Sequence, residues 1–421
     1  MSLSSSIKIA AEESVCHPYL WPVKETPPQP VAAVVVRVYD KMRDKTAVVE
    51  LERRCEAGKQ GKPSVVTDIM DDPTARIANF PSRVMLVAEY GYNREIVGVI
   101  RGCIKTVTTG KHCNEFPVYV KLACVLGLRV SPAHRRLGIG AKLIQHLELW
   151  CKENGTDYAY MATDCSNQPS LNLFTVKSNY IKFRSPTVLV QPVHAHYKTL
   201  SSKTSLIRVP PDLAEPMYRR IFANSEFFPK DIDIILNNKL NLGTFMAIPK
   251  SVLSSWDPKL GTFPSSFAIL SIWNAKEVFK LKVKGVSSLK YACSVGSRVL
   301  DSLLPCLRLP SIPDVFHHFG FYFLYGLHME GNDGSSLMKS LCEYAHNLAR
   351  DDRGIRILVA EVSQNDPVRD AIPHWKRFSW DDLWCIKELN AAKGRENSSK
   401  VEAEAWIRSR ASVTFVDPRD L

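Results

Sequence analysis

The sequence predicts a mixed α/β protein whose second half is a degenerate copy of its first. Three features carry that expectation. Strand-like and helix-like segments alternate from Ala32 onward. A strand ending at Val130 runs through a glycine loop into a helix and then another strand, which implies a crossover helix lying on a sheet. The same pattern returns after Phe321, in the same order and at matching spacing.

Taken in order, the valine-rich run Ala32 to Tyr39 reads as a buried strand and Ala47 to Cys55 as an amphipathic helix. A loop with Lys62, Pro63, Asp71, Asp72 and Pro73 follows. Val84 to Glu89 and Ile96 to Thr108 read as a hairpin, because Tyr90-Gly91-Tyr92-Asn93 is a turn-forming cluster. Ser131 to Gly140 contains Pro132, Gly138 and Gly140 and reads as a loop. The next segment places Leu143, Ile144, Leu147, Trp150 and Cys151 on one helical face, and Gly155 stops it before the strand Tyr158 to Thr163. In the second half, Thr244 to Ile248 and Phe267 to Trp273 take the places of the hairpin strands. Phe321 to Met329 leads through Glu330-Gly331-Asn332-Asp333-Gly334 into a helix bearing Leu337, Met338, Leu341, Tyr344 and Ala345. From Val130 to Gly155 and from Met329 to Gly354 the spacing is 25 residues in both cases.

A length of 421 residues suits two domains. The expected divisions are a disordered N-terminal tail over 1–31, a first domain over 32–200, a second over 201–390 and a C-terminal tail over 391–421. The longest apolar run, Val31 to Val36, is far short of the roughly 18–20 residues a membrane helix needs, so no membrane is expected as a partner. Eleven cysteines, odd in number and never in Cys-x-x-Cys, sit mostly in apolar runs as reduced core thiols do, which implies the nucleus and/or cytoplasm. A net charge of +12 suits a polyanionic ligand, either nucleic acid or a phosphate-rich cofactor. Lys280, Lys282 and Lys284 alternate with Phe279, Leu281 and Val283, which describes a strand with one solvated face, so direct nucleic-acid binding is not indicated. His194-x-His196 and Asp314-x-x-His317-His318 lack further ligands at metal spacing, and no metal is expected.

The segment that carries chemistry is Leu128-Arg129-Val130, then Ser131-Pro132-Ala133-His134, then Arg135-Arg136-Leu137-Gly138-Ile139-Gly140-Ala141. Closely spaced glycines at a helix start direct several backbone N–H groups at one spot, where the helix dipole adds positive potential. Such a nest binds phosphate, and Arg135 and Arg136 fit a pyrophosphate. It is neither a Walker A loop nor a dinucleotide fingerprint, because Gly-Lys-Ser/Thr, a third glycine and the acidic residue of the next strand are all missing.

Arg-x-x-Gly-x-Gly after a strand written Leu-x-Val-x-Pro resembles the acetyl-coenzyme A signature of the GNAT N-acetyltransferases, with Arg135, Gly138 and Gly140 at the motif positions. Asn167, Ser170, Leu173-Phe174 and Asn179-Tyr180 resemble the downstream motif. Residues 32 to about 190 carry this likeness. Arg101 to Val107, Asn237 to Leu240 and His374-Trp375-Lys376 extend a narrower one, to the plant HOOKLESS family of probable N-acetyltransferases. The resemblance implies acetyl-CoA as co-substrate and no metal. It further implies pyrophosphate held by amides from Leu137 to Ala141, pantetheine pairing along Leu128, Arg129 and Val130, and a far wall of Asn167, Ser170 and Phe174. Its implied activity is acetyl transfer to an amine of a protein or small molecule, with a regulatory role in plant growth. The alternative is a catalytically weak or inactive GNAT-fold protein that acts through cofactor and partner binding.

Two departures from the family pattern stand out. Phe174 occupies the place of the tyrosine that often protonates the leaving thiolate, and Val120 to Leu126 lacks the carboxylate that often serves as base. Glu115 and Asp164 are the substitute candidates, while Tyr119 and Cys124 could at most orient a water. The acceptor is left open among protein lysine, protein N-terminus and small amine.

Overall fold

The computed structural model describes residues 34–55, 64–114, 116–257, 262–307, 311–390, 406 and 413–421. The tail expected over 1–31 and the candidate Glu115 lie outside the described residues.

In the first half, β1 (Val34–Val38), β3 (Ser82–Tyr90), β4 (Glu95–Cys113) and β5 (Phe116–Val130) form an antiparallel run. The helix between the first two, α1 (Lys41–Cys55), begins earlier than the expected Ala47, because the Asp40 carboxylate caps it by accepting from the Met42 amide at 2.8 Å. Its first turns hide from a periodicity search because the buried residue there is charged: Asp44, 1% exposed, bonds the Arg37 guanidinium at 2.8 Å. Part of the stretch read as loop is β2 (Ser64–Asp68), which pairs with β13 (Lys280–Lys284) far along the chain, a long-range partner that local pattern cannot reveal.

Helix α2 (Ile139–Glu153) lays Leu143, Ile144, Leu147 and Cys151 on the sheet, as the spacing predicts. It leads to β6 (Tyr158–Asp164), which runs parallel to β5 only from Leu122/Tyr158 to Val125/Met161. Beyond that rung the two strands part. There β5 carries a bulge, where one extra residue faces β4 and Gly127 takes φ +55°. A Cβ at that position would lie 2.5 Å from a guanidinium nitrogen of Arg101, which itself donates to the Gly127 carbonyl at 3.2 Å.

The second half repeats these devices. β9 (Thr204–Val209), β11 (Asn241–Pro249), β12 (Phe267–Asn274) and β14 (Gly320–Glu330) form the antiparallel run. α7 (Gly334–Asp351) crosses over to β15 (Ile355–Val362), which is parallel to β14 up to Leu324/Ala360. A bulge follows at Gly326, φ +60°, again just past the last parallel rung.

The two runs join by exchanging strands. β8 (Thr187–Pro192), from the first half, pairs with β15; β16 (Trp380–Glu388), from the far end of the second, pairs with β6; and the two meet at Val188/Trp380. All six residues of β8 are buried, and burial on both faces leaves no alternation to mark the strand in the sequence. α2 and α7 each cover one part of the sheet on one side. The other side holds a core shared by both halves, including Tyr160, Phe227, Trp273, Tyr325 and Trp384. The chain end read as a tail lies against that core, with Phe415 at 2% and Arg419 at 4% exposure.

One histidine gives the fold an acid sensitivity. His346 is fully buried, and its Nε2 accepts the backbone N–H of His194 at 2.9 Å, so the ring must be neutral. Burial pushes its pKa down to about 4 from the ordinary 6.5. As pH falls below 6.5 the unfolded chain takes up a proton that the folded chain refuses, so stability is full above that pH and is lost on the way down to about 4. The slope is up to ~1.4 kcal/mol per pH unit. Urea unfolding at pH 7 and pH 5 should show this loss, and His346→Gln should flatten the dependence; equal slopes in parent and variant would contradict it.

Candidate coenzyme and acetyl-transfer site

Past Val130 the chain is tied back to the sheet by the Ser131 amide, which donates to the Val97 carbonyl at 2.8 Å. It then turns through Arg136, φ +69°, and Gly138, φ +78°, into α2. Both are left-handed conformations, and two of them just ahead of a helix curl the backbone into a nest. Gly138 is the N-cap and no described side chain caps the helix, so the first amides of α2 keep their hydrogen-bonding capacity. Ile139 anchors the turn at 1% exposure, whereas Arg135, Arg136, Leu137 and Gly138 are all exposed. Gly140 lies at the narrowest place: a Cβ there would meet Leu173 at 3.0 Å, Val130 at 3.8 Å and Leu128 at 4.0 Å. Ala141 is half-buried in the first turn.

Leu128, Arg129 and Val130 are half-buried and run along the gap where β6 has left β5. The opposite bank is α3 (Gln168–Asn172) and the π-helical turn Leu173–Lys177. Asn167 caps α3, its Oδ1 accepting from the Ser170 amide at 3.4 Å while its amide nitrogen donates to the Thr163 hydroxyl at 3.0 Å. Phe174 departs from its expected place on this wall. It is 2% exposed and packs edge-on to Tyr180 at 5.1 Å, because successive residues of the turn face different ways and the one against the loop is Leu173. Beside the nest lies a groove of about 480 Å³ lined by Gly138, Ala141, Lys142, Gln145, Lys177 and Lys387. Its one carboxylate, Glu148, is neutralised by Lys387 at 2.7 Å, so the groove favours phosphate.

Of the proton-carrier candidates, Asp164 is exposed at the end of β6, its carboxylate accepting from the Ser166 amide at 2.6 Å. Tyr119 sits opposite Thr108, several rungs away from the gap, and Cys124 is buried beside Tyr160.

The sequence reading missed a buried set on the sheet face away from α2. Lys105 on β4 and Tyr160 on β6 both bond the Asp420 carboxylate, and Lys105 lies 3.5 Å from Asp417. Arg419 grips Asp417 at 2.8 Å and Asp231 at 2.7 Å. Burial alone would lower the Lys105 pKa, but Asp420 and Asp417 outweigh it and hold the ammonium charged. Glu361 on β15 accepts from the Trp384 indole at 2.9 Å, and burial with the nearby Asp382 pushes it up to about 8. Burial likewise pushes Asp382 up to about 6. One local signal was available: on its own face of the strand Lys105 stands between Cys103 and Val107, and a cation so placed needs a buried partner.

The equivalent loop of the second half is differently furnished. Glu330 and Asp333 stand where the first loop has Arg135 and Arg136, and a Cβ at Gly331 would fall 2.2 Å from the Ser265 carbonyl oxygen, so the backbone is closed in. At the second bulge the Tyr218 ring fills the space, 2.7 Å from where a Gly326 Cβ would stand.

Known proteins resemble this chain in sequence and in fold. The family model described as "Acetyltransferase (GNAT) family" matches residues 17–177. The Arabidopsis thaliana protein "Probable N-acetyltransferase HLS1" is 49% identical over 407 residues, covering 92% of this chain and 99% of the relative. "Acetyl transferase GW6a" of Oryza sativa is 40% identical over 428 residues, covering 92% and 97%. Among solved structures, Saccharomyces cerevisiae N-myristoyltransferase with bound myristoyl-CoA shares the fold with a TM-score of 0.52 at 10% identity, over 88% of this chain and 86% of that one. With a relative nearly half identical along almost its whole length, and the glycine nest at the parting of two parallel strands, the chain belongs to the GNAT family of N-acetyltransferases.

Proposed function

We propose that the protein transfers the acetyl group of acetyl-CoA to an amine, and that one chain holds one coenzyme, in its first half. The observation that carries this is the exposed, uncapped start of α2 beside the gap between β5 and β6. On this reading the amides from Leu137 to Ala141 take the pyrophosphate, with Arg135 and Arg136 adding charge, and Leu128 to Val130 pairs with the pantetheine as an added strand would. Asn167, Ser170 and Leu173 form the other bank. The second half, divided from the first near residue 200 and extending to about 390, supplies β16 to the first sheet and binds no coenzyme, since its loop is acidic and its backbone approach is blocked.

The acceptor is an amine of a protein or a small molecule. Action in the nucleus and/or cytoplasm, in control of plant growth, is supported by the plant relatives and the reduced-type cysteines. Among the described residues no helix is long and apolar enough to cross a membrane. Calorimetric titration with acetyl-CoA should give one site per chain, and mass spectrometry after incubation with a plant nuclear extract should reveal acetylated species. Zero sites or two sites would overturn the assignment, and one site without any acetylated product would favour a regulatory protein acting by binding.

A further inference from the structure

Three strands place polar side chains together where β5 and β6 are about to part. Cys103 on β4 is opposite Cys124 on β5, which is opposite Tyr160 on β6, one rung short of the last parallel pair; Lys105 is two residues further along β4 on the same face. Into this spot the chain end brings Asp420. Its Oδ2 accepts from both the Tyr160 hydroxyl and the Lys105 ammonium, while its Oδ1 is buried with no hydrogen-bond partner among the described residues. A carboxylate oxygen and the Cys103 and Cys124 sulfurs lie within 4.8 Å of one another, but the Lys105 ammonium already supplies the cation there, so the set is not a metal site.

Anchoring the chain end does not account for Asp420. Asp417 already meets Lys105 and, with Asp231, encloses Arg419. With Asp420 added, three carboxyls face two cations, and Glu361 and Asp382 stand nearby from β15 and β16. Crowding of this kind favours the protonated form of the carboxyls that burial raises. Burial raises the Asp420 and Glu361 carboxyls and holds the Tyr160 hydroxyl in its neutral, donating form. Its Oδ1, buried and without a hydrogen-bond partner among the described residues, is free to take up or hand on a proton, next to the Tyr160 hydroxyl that the other oxygen already holds.

We infer that Tyr160 and Asp420 are the proton relay of acetyl transfer, Tyr160 as the donor to the leaving sulfur and Asp420 as the carboxyl that positions and recharges it. This rests on the coenzyme reading above. The acceptor ammonium gives up two protons as the C–N bond forms, one to solvent and one to the carboxyl set. As the C–S bond breaks, the thiolate takes a proton from the Tyr160 hydroxyl, and Asp420 returns one to Tyr160. The relay replaces the acid that Phe174 cannot supply.

The test uses the full chain, with CoA and acetyl-CoA as probes. Calorimetry in two buffers of different ionisation enthalpy counts the protons exchanged on binding, and release of free CoA from acetyl-CoA, with water taking the acetyl group as acetate, is followed across pH. Tyr160→Phe and Asp420→Asn should still bind acetyl-CoA, should lose the pH-dependent proton exchange on binding CoA, and should release CoA about 10²-fold more slowly with one limb of the pH profile gone. If Asp420→Asn does not fold, Tyr160→Phe decides, since it removes a single hydroxyl. Coenzyme bound with proton count and pH profile unchanged in Tyr160→Phe overturns the relay alone. A parent chain that binds no coenzyme overturns both the site and the relay.

Discussion

Gly140→Val should weaken acetyl-CoA binding by roughly 5- to 150-fold, the equivalent of the 1–3 kcal/mol typical of overpacking a tight position. The reason is local: a Cβ there already stands 3.0 Å from Leu173, and a branched side chain has only the groove to enter. Gly138→Val should act by a different route. Nothing lies within 4 Å of a Cβ at Gly138, but its φ of +78° is one that a β-branched residue strongly resists, so the loop itself must rearrange. Arg135→Ala should cost less and leave the remaining affinity less sensitive to salt, since only an exposed charge is removed. Calorimetry on the three variants checks all of this, and affinities equal to the parent's would show that the phosphates bind elsewhere.

Asp417→Ala should destabilise the fold by about 3–5 kcal/mol, a large share of the 5–15 kcal/mol that holds a typical protein folded. Asp417 is fully buried between Lys105 and Arg419, each with a side chain 1% exposed, and its removal leaves two cations in the core facing weaker partners. Unlike Tyr160→Phe, this variant should lower the urea midpoint without removing a limb of the pH profile. An unchanged midpoint would mean that the chain end is not the structural clamp it looks to be.

The sequence carried the strand–loop–helix–strand unit, its repetition and the glycine nest, because each is written in local periodicity or in the backbone freedom of glycine. Leu143, Ile144 and Leu147 announce α2 by their spacing alone. What it did not carry depends on distant partners. Nothing near Ser64 to Asp68 foretells pairing with Lys280 to Lys284. The charged chain end, Asp417 to Asp420, reads as solvated until Lys105, more than three hundred residues earlier, is placed beside it. Phe174 shows the limit of motif matching: the match locates the turn, and packing against Tyr180 decides which way the ring points.

The exchange of β8 and β16 has a consequence for biosynthesis. Tyr158 pairs with Glu388, so the outer edge of β6 stays unsupported until residues 382 to 388, more than two hundred positions later, have left the ribosome. The nascent first half presents β6 as an open edge, a template for pairing with another chain, and closing so long a loop is slow. Ribosome-bound chains stopped before residue 380 should therefore need chaperone protection, because the strand beside the nest is encoded early and its partner late.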